Sequence, residues 1–415
     1  MGRAPSRRPY PIFSAGKVEK GPALIRFESV TKRYPGGTVA VDDLSLEVPA
    51  GQTMVLVGPS GCGKTTSLRM INRLVEPTSG RILLDGNDVM RANPAILRRG
   101  IGYVIQQAGL FPHRTVEDNI ATVPLLTGWP KARARRRARE LMDLVGLDAQ
   151  MARRYPHQLS GGQQQRVGVA RALAADPPVL LMDEPFSAVD PIVRASLQDE
   201  LLRLQAELHK TVVFVTHDIE EAIKVGDQVA IFRPGGHLVQ VDPPERLLAA
   251  PADSYVEDFI GFDRGIRRLS FLAAGALDLD TAAVVGQDVS PGEALATARG
   301  TGAPWLLVVD AERRPRGWVA AGQLDAAQDH ATLAGVPLTG YGHTFRADSD
   351  SLRAALDATV LSSTGQAIGV DAGGRAVGVT SYDRLKTAIQ HADSEARAEE
   401  AAQTVAAAAP EGAAS

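Results

Sequence analysis

The apolar residues before Gly261 fall into short runs that are separated by glycine-rich or polar stretches. Such runs occupy residues 54–57, 101–105, 179–182 and 211–215. Continuous apolar runs of this length, bounded by turn residues, predict buried β-strands. Helices are predicted at residues 67–74 and 163–174, and in a basic stretch, residues 131–139, that continues to near Val145. No apolar run is long enough for a membrane-spanning helix, which needs about 18 residues or more.

The loop after the first apolar run has the sequence of a phosphate cradle. It reads Gly58, Pro59, Ser60, Gly61, Cys62, Gly63, Lys64, Thr65 and Thr66. This fits the pattern of a glycine, four residues and then Gly-Lys-Thr, between a predicted strand and a predicted helix. Glycines let backbone amides curl around a β-phosphate. Lys64 would supply positive charge to the β- and γ-phosphate oxygens, and Thr65 a hydroxyl group for Mg²⁺.

A second phosphate-binding element is predicted at residues 159–166, Leu-Ser-Gly-Gly-Gln-Gln-Gln-Arg. Ser160, Gly161, Gly162 and Gln163 precede or open a predicted helix and include no bulky apolar side chain. A helix start with bare backbone N–H groups attracts anions. This segment has too few groups to hold a triphosphate alone, so it is interpreted as half of a nucleotide site.

The other apolar runs are each followed by a residue suited to phosphate chemistry. Asp183 and Glu184 come after residues 179–182, His217 after residues 211–215, and Gln106 after residues 101–105. Asp183 is predicted to hold the Mg²⁺ shell and Glu184 to polarise the attacking water. A glutamine can coordinate Mg²⁺ through its carbonyl and position water through its amide. A single histidine or glutamine after a strand is more often structural, so Gln106 and His217 gain weight only from the order of the whole set.

In this order, the motifs resemble those of ATP-binding cassette (ABC) ATPases over about residues 25–261. By this resemblance, Gln106 is the Q-loop glutamine, residues 159–166 are the signature motif, and residues 187–190, ending at Asp190, are the D-loop. His217 corresponds to the switch histidine, and Tyr34 stands where the family stacks an aromatic ring on adenine.

The resemblance also implies an architecture and a reaction. The fold class would be α/β: a P-loop ABC ATPase domain with a parallel sheet flanked by helices, an antiparallel β subdomain, and a helical subdomain around residues 115–160. ATP and Mg²⁺ would be the cofactors, and hydrolysis would proceed by in-line attack of water. Two ATPase subunits would pair head to tail, most simply as a homodimer. Ser160 and Gly162 of one subunit would then cover the ATP held by Lys64 of the other.

Two segments narrow the resemblance to one group of importers. Residues 70–80 and 101–113 are typical of ATPase subunits that energise uptake of glycine betaine, proline betaine and choline. This implies a peripheral protein at the cytoplasmic face of the cell membrane. Its partners would be transmembrane permease subunits, docked near Gln106, and an extracytoplasmic solute-binding protein in the full complex.

The chain beyond Gly261 contains an internal repeat. Residues 307–319 are echoed by residues 367–379, and Asp310 and Asp371 are 61 positions apart. Each copy predicts a strand, a tight turn, a strand and a helix. The repeat resembles a tandem pair of cystathionine-β-synthase (CBS) motifs, an α+β module. Ser381 and Asp383 are one position closer than in nucleotide-binding CBS motifs, and the first copy lacks the acid. A structural or dimerising role and a ligand-sensing role therefore both remain open.

Four segments are predicted: a flexible extension (1–23), the ABC ATPase domain (24–261), a degenerate tandem CBS domain (262–392) and an acidic, alanine-rich disordered tail (393–415). The formal net charge of −3, from 45 Lys+Arg and 48 Asp+Glu, argues against nucleic acid as a partner. The arginines of residues 131–139 are accordingly predicted to form a solvated helix face. Cys62 is the only cysteine, so an intrachain disulfide is excluded.

Two other functions fit some of these features. The first is a soluble ABC ATPase that acts on ribosomes or DNA. Ribosome-associated members carry two ATPase domains in one chain, and DNA-repair members split the cassette with a long coiled coil. Lys64 and Leu159 are only 95 positions apart, which leaves no room for such an insert. The second is an importer ATPase for an amino acid or a polyamine, which the CBS-like repeat disfavours.

Overall fold

The computed structural model describes residues 23–106, 109–187 and 189–391. These residues form two compact units, 23–262 and 263–391. The predicted extension before Ala23 and the predicted acidic tail lie outside the described residues, as do Gln107, Ala108 and Ala188. No helix among the described residues is long and apolar enough to cross a membrane.

The first unit contains ten strands in its described part. They are β1 (Ala23–Arg33), β2 (Val39–Pro49), β3 (Thr53–Val57), β4 (Ser79–Leu84), β5 (Asn87–Asp88), β6 (Ile101–Val104), β7 (Val179–Asp183), β8 (Thr211–Thr216), β9 (Gln228–Arg233) and β10 (His237–Asp242). Its helices are α1 (Lys64–Ile71), α2 (Pro94–Arg99), α3 (Val116–Ile120), α4 (Thr122–Leu126), α5 (Lys131–Leu144), α6 (Gly161–Leu173), α7 (Pro191–Leu208), α8 (Ile219–Val225), α9 (Pro244–Ala249) and α10 (Ser254–Ile260).

The central sheet has the order β10-β9-β3-β8-β7-β6. All neighbours are parallel except β10, which is antiparallel to β9. Every residue of β3, β7 and β8 is buried. Strands covered on both faces read as continuous apolar runs, which is why the sequence pattern revealed them. The predicted parallel core is confirmed.

The predicted antiparallel subdomain is the sheet β2-β1-β4-β5. Buried and exposed residues alternate along the second half of β2, so one face of this sheet is covered. Its buried residues Phe27, Leu46 and Ile82 belong to the same hydrophobic cluster as Met54 and Leu56 of β3. The two sheets therefore share one core.

Helices α3 to α6 form the predicted helical region. Helix α3 packs against α5 and α6, and α6 also packs against β6. On α5, Arg139 Nε lies 2.7 Å from Glu117 Oε1, and Arg135 Nε lies 3.5 Å from Glu117 Oε2. Arg136 pairs with Glu140 on the same helix. The prediction of a solvated helix face is confirmed, since these arginines face neighbouring carboxylates and solvent.

The second unit starts with α11 (Arg264–Arg268) and then contains two copies of one strand–helix–strand–strand–helix unit. The first copy is β11 (Val284–Gly286), α12 (Pro291–Thr301), β12 (Trp305–Val309), β13 (Pro315–Ala320) and α13 (Ala321–Ala326). The second copy is β14 (Thr344–Arg346), α14 (Leu352–Val360), β15 (Gln366–Val370), β16 (Ala376–Ser381) and a helix over residues 382–391. The predicted strand, turn, strand and helix are present in both.

The repeated aspartates have the same role in both copies. Asp310 Oδ1 accepts hydrogen bonds from the backbone N–H groups of Glu312 and Arg314. Asp371 Oδ1 does the same for Gly373 and Arg375. Each carboxylate thus closes the turn between two strands, which explains why an aspartate recurs after 61 positions.

Isolated backbone β-bridges also connect the two copies. Asp280, which precedes the first copy, pairs with Val379 of β16, and Thr339, which precedes the second copy, pairs with Trp318 of β13. Each copy therefore covers the edge strand of the other, so the pair folds as one unit.

Candidate nucleotide site

The phosphate loop connects β3 to α1. Gly58, Gly61 and Gly63 have positive φ angles of 154°, 80° and 94°. A Cβ atom on Gly63 would lie 2.1 Å from the carbonyl oxygen of Ala40, and one on Gly58 would lie 2.4 Å from that of Phe232. Only glycine fits at both positions. The loop is therefore held between the start of β2 and the end of β9, with Ser60 and Gly61 exposed at its tip.

Helix α1 begins at Lys64, whereas the sequence pattern predicted residues 67–74. The helix starts directly after the left-handed Gly63 and ends at Ile71, because Arg73 has a φ of 53°. Thr65 and Thr66 therefore lie in the first turn of the helix, where unpaired N–H groups and the helix dipole favour an anion.

Lys64 lies inside the curve of the loop. Its Nζ donates to the carbonyl oxygens of Gly58 and Pro59, at 2.7 and 2.8 Å. Cys62 Sγ is 3.6 Å from the same ammonium, and burial raises the pKa of this thiol. Cys62 is accordingly a neutral packing residue at neutral pH, and the positive charge of the cradle comes from Lys64.

Two of the three predicted Mg²⁺ residues, Thr65 and Asp183, lie together at the end of β7. Thr65 Oγ1 donates to Asp183 Oδ1 at 2.8 Å, and the Asp183 residue is only 5% exposed. Gln106 lies just beyond β6, and its Nε2 donates to Glu184 Oε2 at 3.3 Å. Hydroxyl, carboxylate and amide oxygens are the donors that Mg²⁺ prefers. The residues at this point fit the ion that the sequence predicts.

Glu184 leaves the sheet immediately after Asp183. Its φ is 45°, a conformation that costs energy for a residue with a Cβ and that is concentrated at functional sites. Its N–H donates to the carbonyl of Val215, and its own carbonyl accepts from the N–H and hydroxyl of Ser187. This turn separates the two acids, so Asp183 stays buried while Glu184 is half-buried and faces the neighbouring loop residues.

His217 follows β8 and meets Glu184 from that side. Its Nδ1 lies 3.5 Å from Glu184 Oε1. The Glu184 carboxylate thus has Gln106 at one oxygen and His217 at the other. This brings together Glu184 and Gln106, which were predicted to act on the attacking water, and His217, the predicted switch histidine.

A polar pocket lies beside this pair, lined in part by Thr216, His217 and Glu221. Glu221 is buried, and its Oε1 accepts a hydrogen bond from Gln198 Nε2 at 3.1 Å. Burial raises the pKa of Glu221, and the hydrogen bonds from Thr216 and Gln198 oppose that shift. Gln198 belongs to α7, which begins after Asp190, so this bond joins α7 to the helix that follows His217.

We expect Glu221→Gln to stabilise the fold at neutral pH and to lose that advantage in acid. Because the folded pKa is raised, the folded state binds more protons than the unfolded chain between the two pKa values. The contribution of the protonated carboxyl is fully present below the unfolded pKa and is lost as pH rises through the folded pKa. The variant amide is neutral throughout and its carbonyl can still accept from Gln198.

The test is the difference in unfolding midpoint between wild type and Glu221→Gln, followed from acid to neutral pH in urea. Asp218 and Arg194, the charged neighbours of Glu221, are present in both proteins, but their charge interactions with Glu221 exist only in wild type and are part of the measured difference. A difference that does not change with pH would contradict the expectation.

The signature segment opens α6, which begins at Gly161 and not at Gln163 as predicted. Ser160 is its N-cap: Ser160 Oγ accepts from Gln163 N–H at 3.3 Å, and Gln163 Oε1 accepts from Ser160 N–H at 3.0 Å. This capping box satisfies two of the N–H groups that were expected to be bare, those of Ser160 and Gln163. Gly161 has open space around it, whereas a Cβ on Gly162 would lie 2.9 Å from Val193 Cγ1.

The phosphate loop and the signature segment precede helices that pack against different elements. Helix α1 packs against β2, β4, β7 and β8, whereas α6 packs against α3, α5, α7 and β6. Ser160 and Gly161 are exposed to solvent.

Tyr34 and Asp190 are at the edges of the site. Tyr34 follows β1 in the turn to β2, 38% exposed, with Lys32 Nζ 5.1 Å from its ring centroid. Ala40, which touches Gly63, lies further along the same hairpin. The carbonyl of Asp190 accepts from Arg194 N–H at the start of α7. Ala188 of the D-loop lies outside the described residues.

Four residues of this site were not predicted from sequence: Arg69, Tyr103, Gln198 and Glu221. Arg69 and Tyr103 both contact Asp183. Each of the four residues belongs to a helix or strand and to no recognisable sequence motif, and the residue that it contacts is remote in the chain.

Comparison with known proteins agrees with this geometry. Residues 41–187 match the family model described as ABC transporter. The osmoprotectant import ATP-binding protein OsmV of Salmonella typhimurium is 45% identical over 371 residues, which cover 87% of this chain and 95% of OsmV. The chain belongs to the ATP-binding proteins of ABC transporters. This ABC ATPase therefore binds and hydrolyses ATP, and the predicted P-loop ABC fold is confirmed.

Two further relatives agree. The glycine betaine/carnitine/choline transport ATP-binding protein OpuCA of Bacillus subtilis is 47% identical over 313 residues, covering 75% of this ABC ATPase and 82% of OpuCA. Among solved structures, CbiO1 from Clostridium perfringens, part of the ABC transporter complex cbiONQ, is 27% identical with a TM-score of 0.51. The match covers 55% of this chain and 92% of CbiO1.

Proposed function

We propose that this ABC ATPase energises an importer of quaternary-ammonium osmolytes such as glycine betaine, carnitine and choline. The observation that carries the proposal is the length of the similarity to OsmV, 371 residues, because a match of that length extends beyond the 240 residues from Ala23 to Phe262. OsmV is named as an osmoprotectant import protein, and OpuCA as a glycine betaine/carnitine/choline transport protein.

The site residues support one sequence of events. Lys64 moves from the carbonyls of Gly58 and Pro59 to the phosphate oxygens when ATP enters. Glu184 accepts the proton of a water that attacks the γ-phosphorus, and the bond to the β–γ bridging oxygen breaks. His217 stabilises the γ-phosphate, and Gln106 orients the water. Mg²⁺, held by Thr65, Gln106 and the shell of Asp183, would offset the negative charge of the phosphates.

We propose that the working unit is a homodimer in which the partner's Ser160 and Gly162 complete each site. In support of this, Ser160 is solvent-exposed and lies at the start of α6. Helix α6 packs against different elements from those that contact α1, the helix that follows the phosphate loop. Adenine would stack on Tyr34, and Asp190 would contact the second subunit. The dimer would be peripheral to the cytoplasmic face of the membrane, bound to permease subunits and served by an extracytoplasmic solute-binding protein.

For the second unit we propose a degenerate tandem CBS module spanning residues 262–392. Its two similar strand–helix–strand–strand–helix copies and the backbone β-bridges between them support this assignment. Two roles fit this module, a structural or dimerising one and a response to ligand or ionic strength.

The proposal is tested by uptake of radiolabelled glycine betaine, carnitine and choline after an osmotic upshift, in cells with and without this protein. We expect uptake of at least one of them to be lost without the protein and restored by the wild-type gene, but not by Glu184→Gln. Unchanged uptake of all three, with loss of amino-acid or polyamine uptake instead, would assign the ATPase to a different importer.

A further inference from the structure

Both carboxylate oxygens of Asp183 are held by hydrogen bonds. Asp183 Oδ1 accepts from Thr65 Oγ1 at 2.8 Å. Asp183 Oδ2 accepts from the Tyr103 hydroxyl at 3.3 Å and from Arg69 Nη2 at 3.3 Å. The Tyr103 hydroxyl also interacts with the Arg69 guanidinium and raises the pKa of Arg69. One oxygen of Asp183 therefore faces Thr65, and the other faces Arg69 and Tyr103.

Three elements of the core create this arrangement. Asp183 ends β7, Arg69 lies on α1, and Tyr103 lies on the neighbouring strand β6, where it pairs with Leu181. Tyr103 is half-buried and Asp183 is buried. The Tyr103 side chain therefore reaches Asp183 from a fixed position in the sheet.

The orientation of this carboxylate matters because its terminal torsion is soft. The last side-chain torsion of aspartate has a broad energy profile, so packing alone does not fix the plane of the carboxylate. Donors at both oxygens fix that plane. Partners of metal-ligating carboxylates act in this way, and their loss typically weakens metal binding by about ten- to a hundred-fold.

We propose that Tyr103, itself oriented by Arg69, is a positioning residue that holds Asp183 for the divalent cation of the bound nucleotide. This rests on the proposed function, in which Asp183 supports Mg²⁺. Tyr103 also lies three positions before Gln106, so one strand end carries both a candidate Mg²⁺ ligand and the residue that orients the carboxylate.

The test measures nucleotide binding and not turnover. A fluorescent ATP analogue is bound to the full-length protein, first in EDTA and then during a Mg²⁺ titration. For Tyr103→Phe, which removes only the hydroxyl, we expect the half-saturating Mg²⁺ concentration to rise by about tenfold. The affinity measured in EDTA should match wild type, because Lys64 and the loop amides are intact.

Tyr341→Phe is the matched control. Tyr341 is also half-buried, but it packs against the hydrophobic core of the second unit. The Mg²⁺ requirement of this variant should equal that of wild type.

Two results would overturn the inference. The first is a Mg²⁺ requirement in Tyr103→Phe that is the same as in wild type. The second is an equal loss of affinity in EDTA and in Mg²⁺, which would make Tyr103 a packing residue. If wild type itself bound the analogue without any effect of Mg²⁺, the proposed role of Asp183 would fail first, and the proposal for Tyr103 with it.

Discussion

Replacement of Glu184 by glutamine is expected to lower ATP hydrolysis by about a hundred- to ten-thousand-fold, the usual contribution of a general base. The glutamine side chain would have the same shape and could still meet Gln106 and His217, but it could not take a proton from water. ATP binding and ATP-dependent dimer formation should remain, since neither needs that proton transfer. Phosphate release, binding of a fluorescent ATP analogue and gel filtration with ATP measure the three properties.

The positive φ of Glu184 makes this comparison clean. Glutamate and glutamine have the same backbone cost at a φ of 45°, so the thermal midpoint of the variant should match wild type. Glu140→Gln is the control, because Glu140 lies on α5, away from the nucleotide site, and forms ion pairs with the helix arginines Arg136 and Arg137. Normal turnover in Glu184→Gln would remove Glu184 from the role of base.

The motif residues could be predicted from sequence because the residues of each motif lie close together in the chain, in a fixed order. The phosphate loop needs glycines at fixed spacing before Lys64. The strands of a buried parallel sheet can be recognised in the sequence because they are continuous apolar runs. Asp183, Glu184, Gln106 and His217 all follow such strands. Once the strands are parallel neighbours, their ends lie at one edge of the sheet, and the structure brings these side chains together there.

The supporting residues could not be predicted, because their partners are remote in sequence. Tyr103 and Asp183 are 80 positions apart, and Arg69 and Asp183 are 114 apart. Which strand residue faces a given carboxylate depends on the register between β6 and β7, which apolar runs do not encode. Glu221 was hidden for a similar reason, since a glutamate in the first turn of a helix normally serves the helix dipole.

Helix starts show a second kind of error. Both α1 and α6 begin earlier than predicted, because residues 64–66 were assigned to the phosphate loop and Gly161 and Gly162 to the loop before α6. In α6, the Ser160–Gln163 capping box draws the two glycines into the first turn. In the second unit, the repeat was visible through its turn aspartates. The bridge between Asp280 and Val379 was not, because backbone hydrogen bonds need no particular side chain.

A mixture of two inactive variants is expected to recover ATPase activity, because each site uses one subunit's phosphate loop and its partner's signature. Lys64→Met removes the charge that meets the phosphates. Ser160→Asp keeps a good N-cap for α6, so the helix should stay folded, but it places a negative charge against the γ-phosphate. Each variant alone should retain little turnover. In a mixed dimer, one site has both defects and the other has none.

With random pairing at equal amounts, about half of the dimers are mixed, and about a quarter of wild-type activity should return if the sites act independently. Copies carrying different tags, expressed together and purified on both tags, would raise this to about half. Phosphate release and ATP-dependent dimer formation are the measurements. The control is each variant mixed with itself under the same conditions. If neither hydrolysis nor ATP-dependent dimer formation returned in the mixture of the two variants, Ser160 would act within its own chain and the head-to-tail arrangement would be wrong.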